Sequence, residues 1–250
     1  AQGTIGAGQP LNYLTIAGDS MLKGNVTTKN DQTYNGALTY GGGSITFKST
    51  DGTIYFNKSV TGGTTNMTIN GTTEFNDTIM VNSITQTTGK QLNIKTAGLI
   101  QTAGAQTYNG TIELSEDATL QAAGGLMTLG KVQEAAGKTC TFSATGSSVL
   151  LKDSITTKSV TLTALTGNIA GIGLPVLTGD ADGTIQLVTV AAGGSIGDLG
   201  TLMGAPVTLV YADTLKMSTN ITAEKSVNVL VGGVGGTLDL GTSGKTLTSQ

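Results

Sequence analysis

The chain has 250 residues, 38 of them Gly and 45 Thr, with no His, Trp or Arg and a formal net charge of -3. Its Lys residues are scattered and compensated, which argues against nucleic acid, since phosphate binding needs clustered basic side chains. No apolar run approaches the roughly 20 residues that span a bilayer as a helix.

Thr favours strands and Gly favours tight bends, so the composition is that of many short strands joined by tight turns. It is not disordered text, because Ile, Leu and Val recur throughout. The opening AQGTIGAG carries neither Met nor a signal peptide and runs at once into strand-and-turn text. That is expected of a processed terminus or of a segment from a longer protein.

Apolar-polar-apolar triplets follow in chain order: Leu14–Ile16, Leu38–Tyr40, Met67–Ile69, Leu92–Ile94, Ile112–Leu114, Cys140–Phe142, Val160–Leu162, Ile185–Leu187, Val207–Leu209 and Val227–Val229. Their starts recur at roughly 20–29 residues, a period typical of solenoid repeats. Ile45–Phe47 competes with Leu38–Tyr40, which leaves the register open across residues 38–47. Further short strands are expected at Thr53–Phe56, Thr78–Val81, Gly98–Gln101, Ser147–Leu151 and Thr214–Met217. Turn signals separate them, among them Asp51-Gly52, Gly62-Gly63, Asn70-Gly71, Thr88-Gly89, Asp182-Gly183 and Gly193-Gly194. Glu116–Ala136 has some helical potential, broken by Gly124-Gly125 and Gly130.

Side chains alternate faces along a strand, so the outer two residues of each triplet point inward and the middle one to solvent. One such coil cannot bury its apolar face alone, but stacked coils share a core. The expected fold is all-β: a right-handed parallel β-helix (β-solenoid) of about ten coils of roughly 20–29 residues, one domain over residues 1–250. At about 4.8 Å per coil it makes a rod on the order of 50 Å long. The pentapeptide QTYNG occurs at Gln32–Gly36 and again at Gln106–Gly110, a separation read as three coils. It is read as a corner, with Asn-Gly as a tight turn and Tyr34 and Tyr108 covering the adjacent strand.

Text of the form QTYNGAL, GGGSITF and AQTYNGTIEL, with Thr-rich strands and Gly corners, resembles the shaft of filamentous-haemagglutinin-type exoproteins. These are large secreted adhesins of Gram-negative bacteria, many exported by a two-partner route. The resemblance covers most of the chain in texture, and its sharp words are the two QTYNG segments. It implies a secreted or cell-surface, extracellular location and an adhesive or spacer role. The family's export domain usually carries an Asn-Pro-Asn motif. Pro10, Pro175 and Pro206 are not flanked that way, so the resemblance points to shaft.

Chemistry-bearing residues are sparse. Polysaccharide lyases and hydrolases on β-helices need acids close together, or a base, in a groove. Asp19, Asp31, Asp51, Asp77, Asp153 and Asp198 stand alone at turns, and Glu116-Asp117 is most simply a turn. Asp180 and Asp182 open a GDADG that resembles the start of a calcium loop, yet no closing Glu follows. GGVGGTLDL (Gly232–Leu240) does not repeat, and SGKTL (Ser243–Leu247) lacks the upstream Gly of a phosphate loop. Cys140 is an outer triplet residue and is read as a buried small hydrophobe. The middle triplet positions mix Thr with Asn, Gln and Glu, unlike the uniform Thr array that ice binding needs. Stacked Asn and Thr are expected to form hydrogen-bonded ladders. Sequons start at Asn25, Asn57, Asn66, Asn70, Asn76, Asn109 and Asn220, as an Asn/Thr-rich chain produces by chance.

No catalytic, cofactor-binding or metal residue is therefore assigned, and no enzymatic activity is expected. The expected partners are the chain itself end to end, neighbouring coils of a longer chain, and host-cell or surface glycans. The alternatives are a self-assembling subunit of an extracellular filament, suggested by the lack of a capping segment, and, more distantly, a carbohydrate-active β-helix.

Overall fold

The computed structural model describes residues 3–96, 98–191, 193–211, 214–217, 221–231, 237–239 and 247–249. Among them are thirty strands and no helix, including across 116–136, where strands Ala118–Ala122, Met127–Leu129 and Val132–Glu134 form instead. All the strand pairings are parallel, and from Leu99 onward each strand pairs with the one three places later in the chain. The chain is thus a parallel β-solenoid of about ten stacked, three-sided coils.

One coil shows the plan. Leu99–Thr102 lies on a first face, Gln106–Tyr108 on a second and Thr111–Leu114 on a third. The next coil repeats it with Ala118–Ala122, Met127–Leu129 and Val132–Glu134. The period-two alternation of the sequence appears directly as burial: Ile112 and Leu114 are buried, Thr111 and Glu113 are not. Inward residues stack on their counterparts one coil away. On the first face Ile100, Leu120, Ala144, Leu162, Leu187 and Leu209 form one continuous buried column. Each large aliphatic member contributes on the order of 1.5–3 kcal/mol by leaving water. In the early coils the column on the third face is aromatic. Tyr34 stacks on Phe56 with centroids 5.2 Å apart, and Phe56 packs on Phe75 at 5.6 Å.

The coil length falls at the lower end of the expected range of roughly 20–29 residues. On the third face the register runs Leu14, Gln32, Ile54, Thr73, Leu92, Ile112, Val132, Ile155, Leu177 and Leu202. Successive members of that column give a coil of about 21 residues on average, near the lower end of solenoid periods. The ten triplets mark all three faces, so their spacing mixes whole coils with partial ones. Leu38–Tyr40 and Ile45–Phe47 are not rivals: they lie on the first and second faces of one coil. The gap between the two QTYNG copies likewise spans three coils and two further faces, because Gln32 sits on the third face and Gln106 on the second.

Several turn signals lie inside strands. Asp51-Gly52 falls within Ser44–Phe56, and both Gly62-Gly63 and Asn70-Gly71 within Val60–Phe75, where the chain bends between faces with register shifts. The Gly of QTYNG also has a different reason from a hairpin turn. A Cβ on Gly36 would land on the backbone of Gly18 and Asp19, and one on Gly110 on the carbonyl oxygen of Lys90. Glycine is needed there because the preceding coil occupies the space. Gly110→Ala should therefore lower the urea midpoint, by about 1–3 kcal/mol in stability. Gly63→Ala, where a Cβ meets nothing within 4 Å, should leave it nearly unchanged.

Candidate functional site

QTYNG is where the sequence looks most like a signature, and the structure gives it an internal role. Gln32–Tyr34 and Gln106–Tyr108 are strands, and in both Gln and Tyr are buried while Thr is not. Gln106 Nε2 donates to the carbonyl of Ile100, 3.0 Å away in the preceding strand, and to that of Gln121, 2.9 Å away in the next coil. Gln32 Nε2 makes the equivalent bonds to Val26 O (3.4 Å) and Lys48 O (2.7 Å). Two residues on, the Tyr hydroxyl donates to the Gln Oε1, at 2.9 Å from Tyr108 and 3.0 Å from Tyr34. Four residues before each Gln, a buried Thr (Thr28, Thr102) donates its hydroxyl to the carbonyl two positions further on. The true repeat is therefore the longer stretch Thr28–Gly36 and Thr102–Gly110, a polar latch that closes a corner inside the rod. The reading of Tyr34 and Tyr108 as corner covers is corrected: both rings fill the core. Their hydroxyls are held protonated well above the usual tyrosine range by burial.

Several acids have a related task. Asp19 accepts the backbone N–H of Ala37, Asp31 that of Thr53 and Asp117 that of Thr141, each at 2.7–2.8 Å and each from the next coil. Glu134 Oε1 accepts two, from Cys140 and Lys158, both at 2.7 Å. Asn25 and Asn168 do the same for Thr46 and Ser195. These carboxylates and amides satisfy corner N–H groups that the sheet ladder cannot reach. The expected Asn ladder is present: Asn57 donates to Asn35 and Asn76 to Asn57, both at 2.8 Å.

The remaining motifs resolve as follows. Asp180 is closed into a turn by the N–H of Gly183 on its carbonyl, and the carboxylate of Asp182 faces Lys158 Nζ at 3.3 Å. Among the described residues no three His, Cys, Asp or Glu side chains are grouped to hold a metal ion. Residues 232–236 and most of 243–247 lie outside the described residues. Cys140 is buried, its Sγ 3.7 Å from Leu114 O. Burial, reinforced by the nearby Glu134, Asp117 and Glu116 carboxylates, pushes its thiol up to about 11. The mixed Thr stripe is not a physical stripe, since its members lie on three faces. The real outer column on the second face reads Thr46, Thr68, Thr85, Thr107 and Thr128, then Leu150 and Ala170, and it is flanked by Ser44, Asn66 and Ser83.

Two surface depressions gather charged groups. One holds Glu113, Lys131, Glu134 and Lys138. There Glu134 is committed to two amides, and Glu113 accepts from Gln133 at 3.4 Å. The other, a groove of about 400 Å³ at the corner between the second and third faces, collects Lys90, Lys131 and Lys152 with Asn109 and Asp153. In the sequence the Lys residues look scattered; the fold brings these three together because they sit near one corner of neighbouring coils. Lys131 and Lys152 stand one coil length apart, and that spacing is the signal that exposes the groove once the coil length is known.

Gln106→Ala should cost roughly 3 kcal/mol or more, since it strands two carbonyls and a hydroxyl and opens a cavity. Tyr108→Phe should cost about 1 kcal/mol. A urea-unfolding series that reverses this order would contradict the latch. Cys140 should react with Ellman's reagent at pH 8 only on unfolding, because thiolate is the reactive form.

No protein-family model matches the chain, and neither comparison with curated proteins nor comparison with solved structures finds a match.

Proposed function

We propose that this chain is an extended structural shaft of an extracellular bacterial surface or secreted exoprotein of the filamentous-haemagglutinin type. Its work is to hold other segments at a distance rather than to carry out a reaction. The observation that supports this most is how the polar side chains are used. Several of the acids and amides that could serve chemistry are engaged in joining one coil to the next, from Asp19 on Ala37 to Glu134 on Lys158. General acid-base work requires carboxyl groups free to exchange protons with a substrate within hydrogen-bond reach, and a carboxylate that caps a corner N–H is already engaged. A stack of self-similar coils also suits a spacer, because coils add length without altering their neighbours.

Protease treatment of intact producing cells, or of their medium, should release peptides of this chain. Incubation with neutral and acidic polysaccharides should generate no new reducing or unsaturated ends. Sustained glycan cleavage that disappears in Glu113→Gln would overturn the reading in favour of a carbohydrate-active enzyme.

A further inference from the structure

We propose that the groove at the corner between the second and third faces is a binding site for a sulfate or phosphate group, whether free or carried on a saccharide. This goes beyond the spacer reading and does not depend on it.

The groove crosses four successive coils, as the pairings of Gln91 with Thr111, of Ile112 with Val132 and of Val132 with Ile155 require. Three coil spacings make it about 14 Å long. Its side chains contribute three Lys and one Asp, a formal charge of +2 in a chain whose total is -3. Among the described residues the ion pairs are Lys95–Glu74, Lys138–Glu116 and Lys158–Asp182, so Lys90, Lys131 and Lys152 are paired with none of the described carboxylates. A local excess of positive charge favours an anion that neutralises it.

The groove is also built rather than accidental. Fully buried Gln86 fixes one wall: its side-chain Nε2 donates to Lys90 O at 2.8 Å, and its main-chain carbonyl accepts Asn109 Nδ2 at 3.0 Å. Asn109 Oδ1 in turn accepts Lys152 Nζ at 2.8 Å. The side chain of one buried residue thus sets the backbone at one Lys, and its main chain, through Asn109, the head group of another. Gly110 and Gly130 supply no side chain to fill the floor, and at both a Cβ would strike the preceding coil. Lys presents compact cationic donors suited to a tetrahedral oxyanion, and the amide and hydroxyl of Asn109 and Thr111 lie alongside. The groove has no aromatic residue on which a base could stack, which disfavours nucleic acid.

The test is calorimetric titration of the folded chain with sodium sulfate, sodium phosphate and a sulfated disaccharide, in low-salt chloride buffer. Binding should weaken as ionic strength rises. The triple variant Lys90→Gln, Lys131→Gln, Lys152→Gln should lose roughly tenfold or more in affinity, and Lys152→Gln alone about threefold. The exposed Lys23→Gln, Lys58→Gln pair should bind as the parent does. Because every substitution is at the surface, circular dichroism of each variant should match the parent. Binding of the free ions points to a small-anion site, and binding of the disaccharide alone to a saccharide-borne group; either supports the proposal. It is overturned if no probe binds, if the triple variant binds equally well, if the control pair loses as much, or if a single-stranded oligonucleotide binds in preference to all three probes.

Discussion

Parallel, in-register pairing of each coil with the next is the constraint from which the rest of this structure follows. It places every side chain directly over its counterpart about 4.8 Å away, so like must tolerate like along the whole rod. Inside, this yields aliphatic and aromatic columns such as Ile100 to Leu209 and Tyr34 to Phe75. At the corners it creates a difficulty, because the chain turns away from its ladder and leaves N–H and C=O groups facing a dry interior or a neighbouring bend. An unpaired buried group of that kind costs about 1–3 kcal/mol. The buried Gln-Tyr latch answers it from within, and the Asp, Glu and Asn side chains answer it from the rim.

The sparse polar chemistry of the chain and its architecture are therefore one fact. A carboxylate that joins one coil to the next is held in place by the coil it supports. The side chains left over for other tasks are those outside this scheme, above all the lysines at the corner of the second and third faces.

Much of the fold is legible in the sequence because period-two alternation survives in every coil. Ile112–Leu114 or Val160–Leu162 reads as inward-outward-inward whether or not its partner is known. The face that a triplet occupies is not legible: Met67–Ile69 and Leu92–Ile94 look alike as text yet lie on different faces. That degeneracy turns the three coils and two faces between the QTYNG copies into a whole number of coils. Gln32 and Gln106 escape a sequence reading for a physical reason. A buried Gln violates the polar-out rule, and its justification lies in carbonyls six positions before it and 15 or 16 after it. The corner acids read plainly as solitary turn residues, but their amide partners, about a coil further along, are invisible without the register. The lysine groove is hidden in the same way.

The account is tested most directly by pulsed electron-electron resonance between pairs of spin labels on the outer column of the first face. The column passes from Thr39 through Gln121, Thr163 and Val210, which stand four, six and eight coils from Thr39. Labels at Thr39 paired with each of the other three should give separations near about 19, 29 and 38 Å, rising in proportion to coil number. Separations that fail to rise in that order, or that cluster at one short value as in strands folded back on themselves, would contradict it.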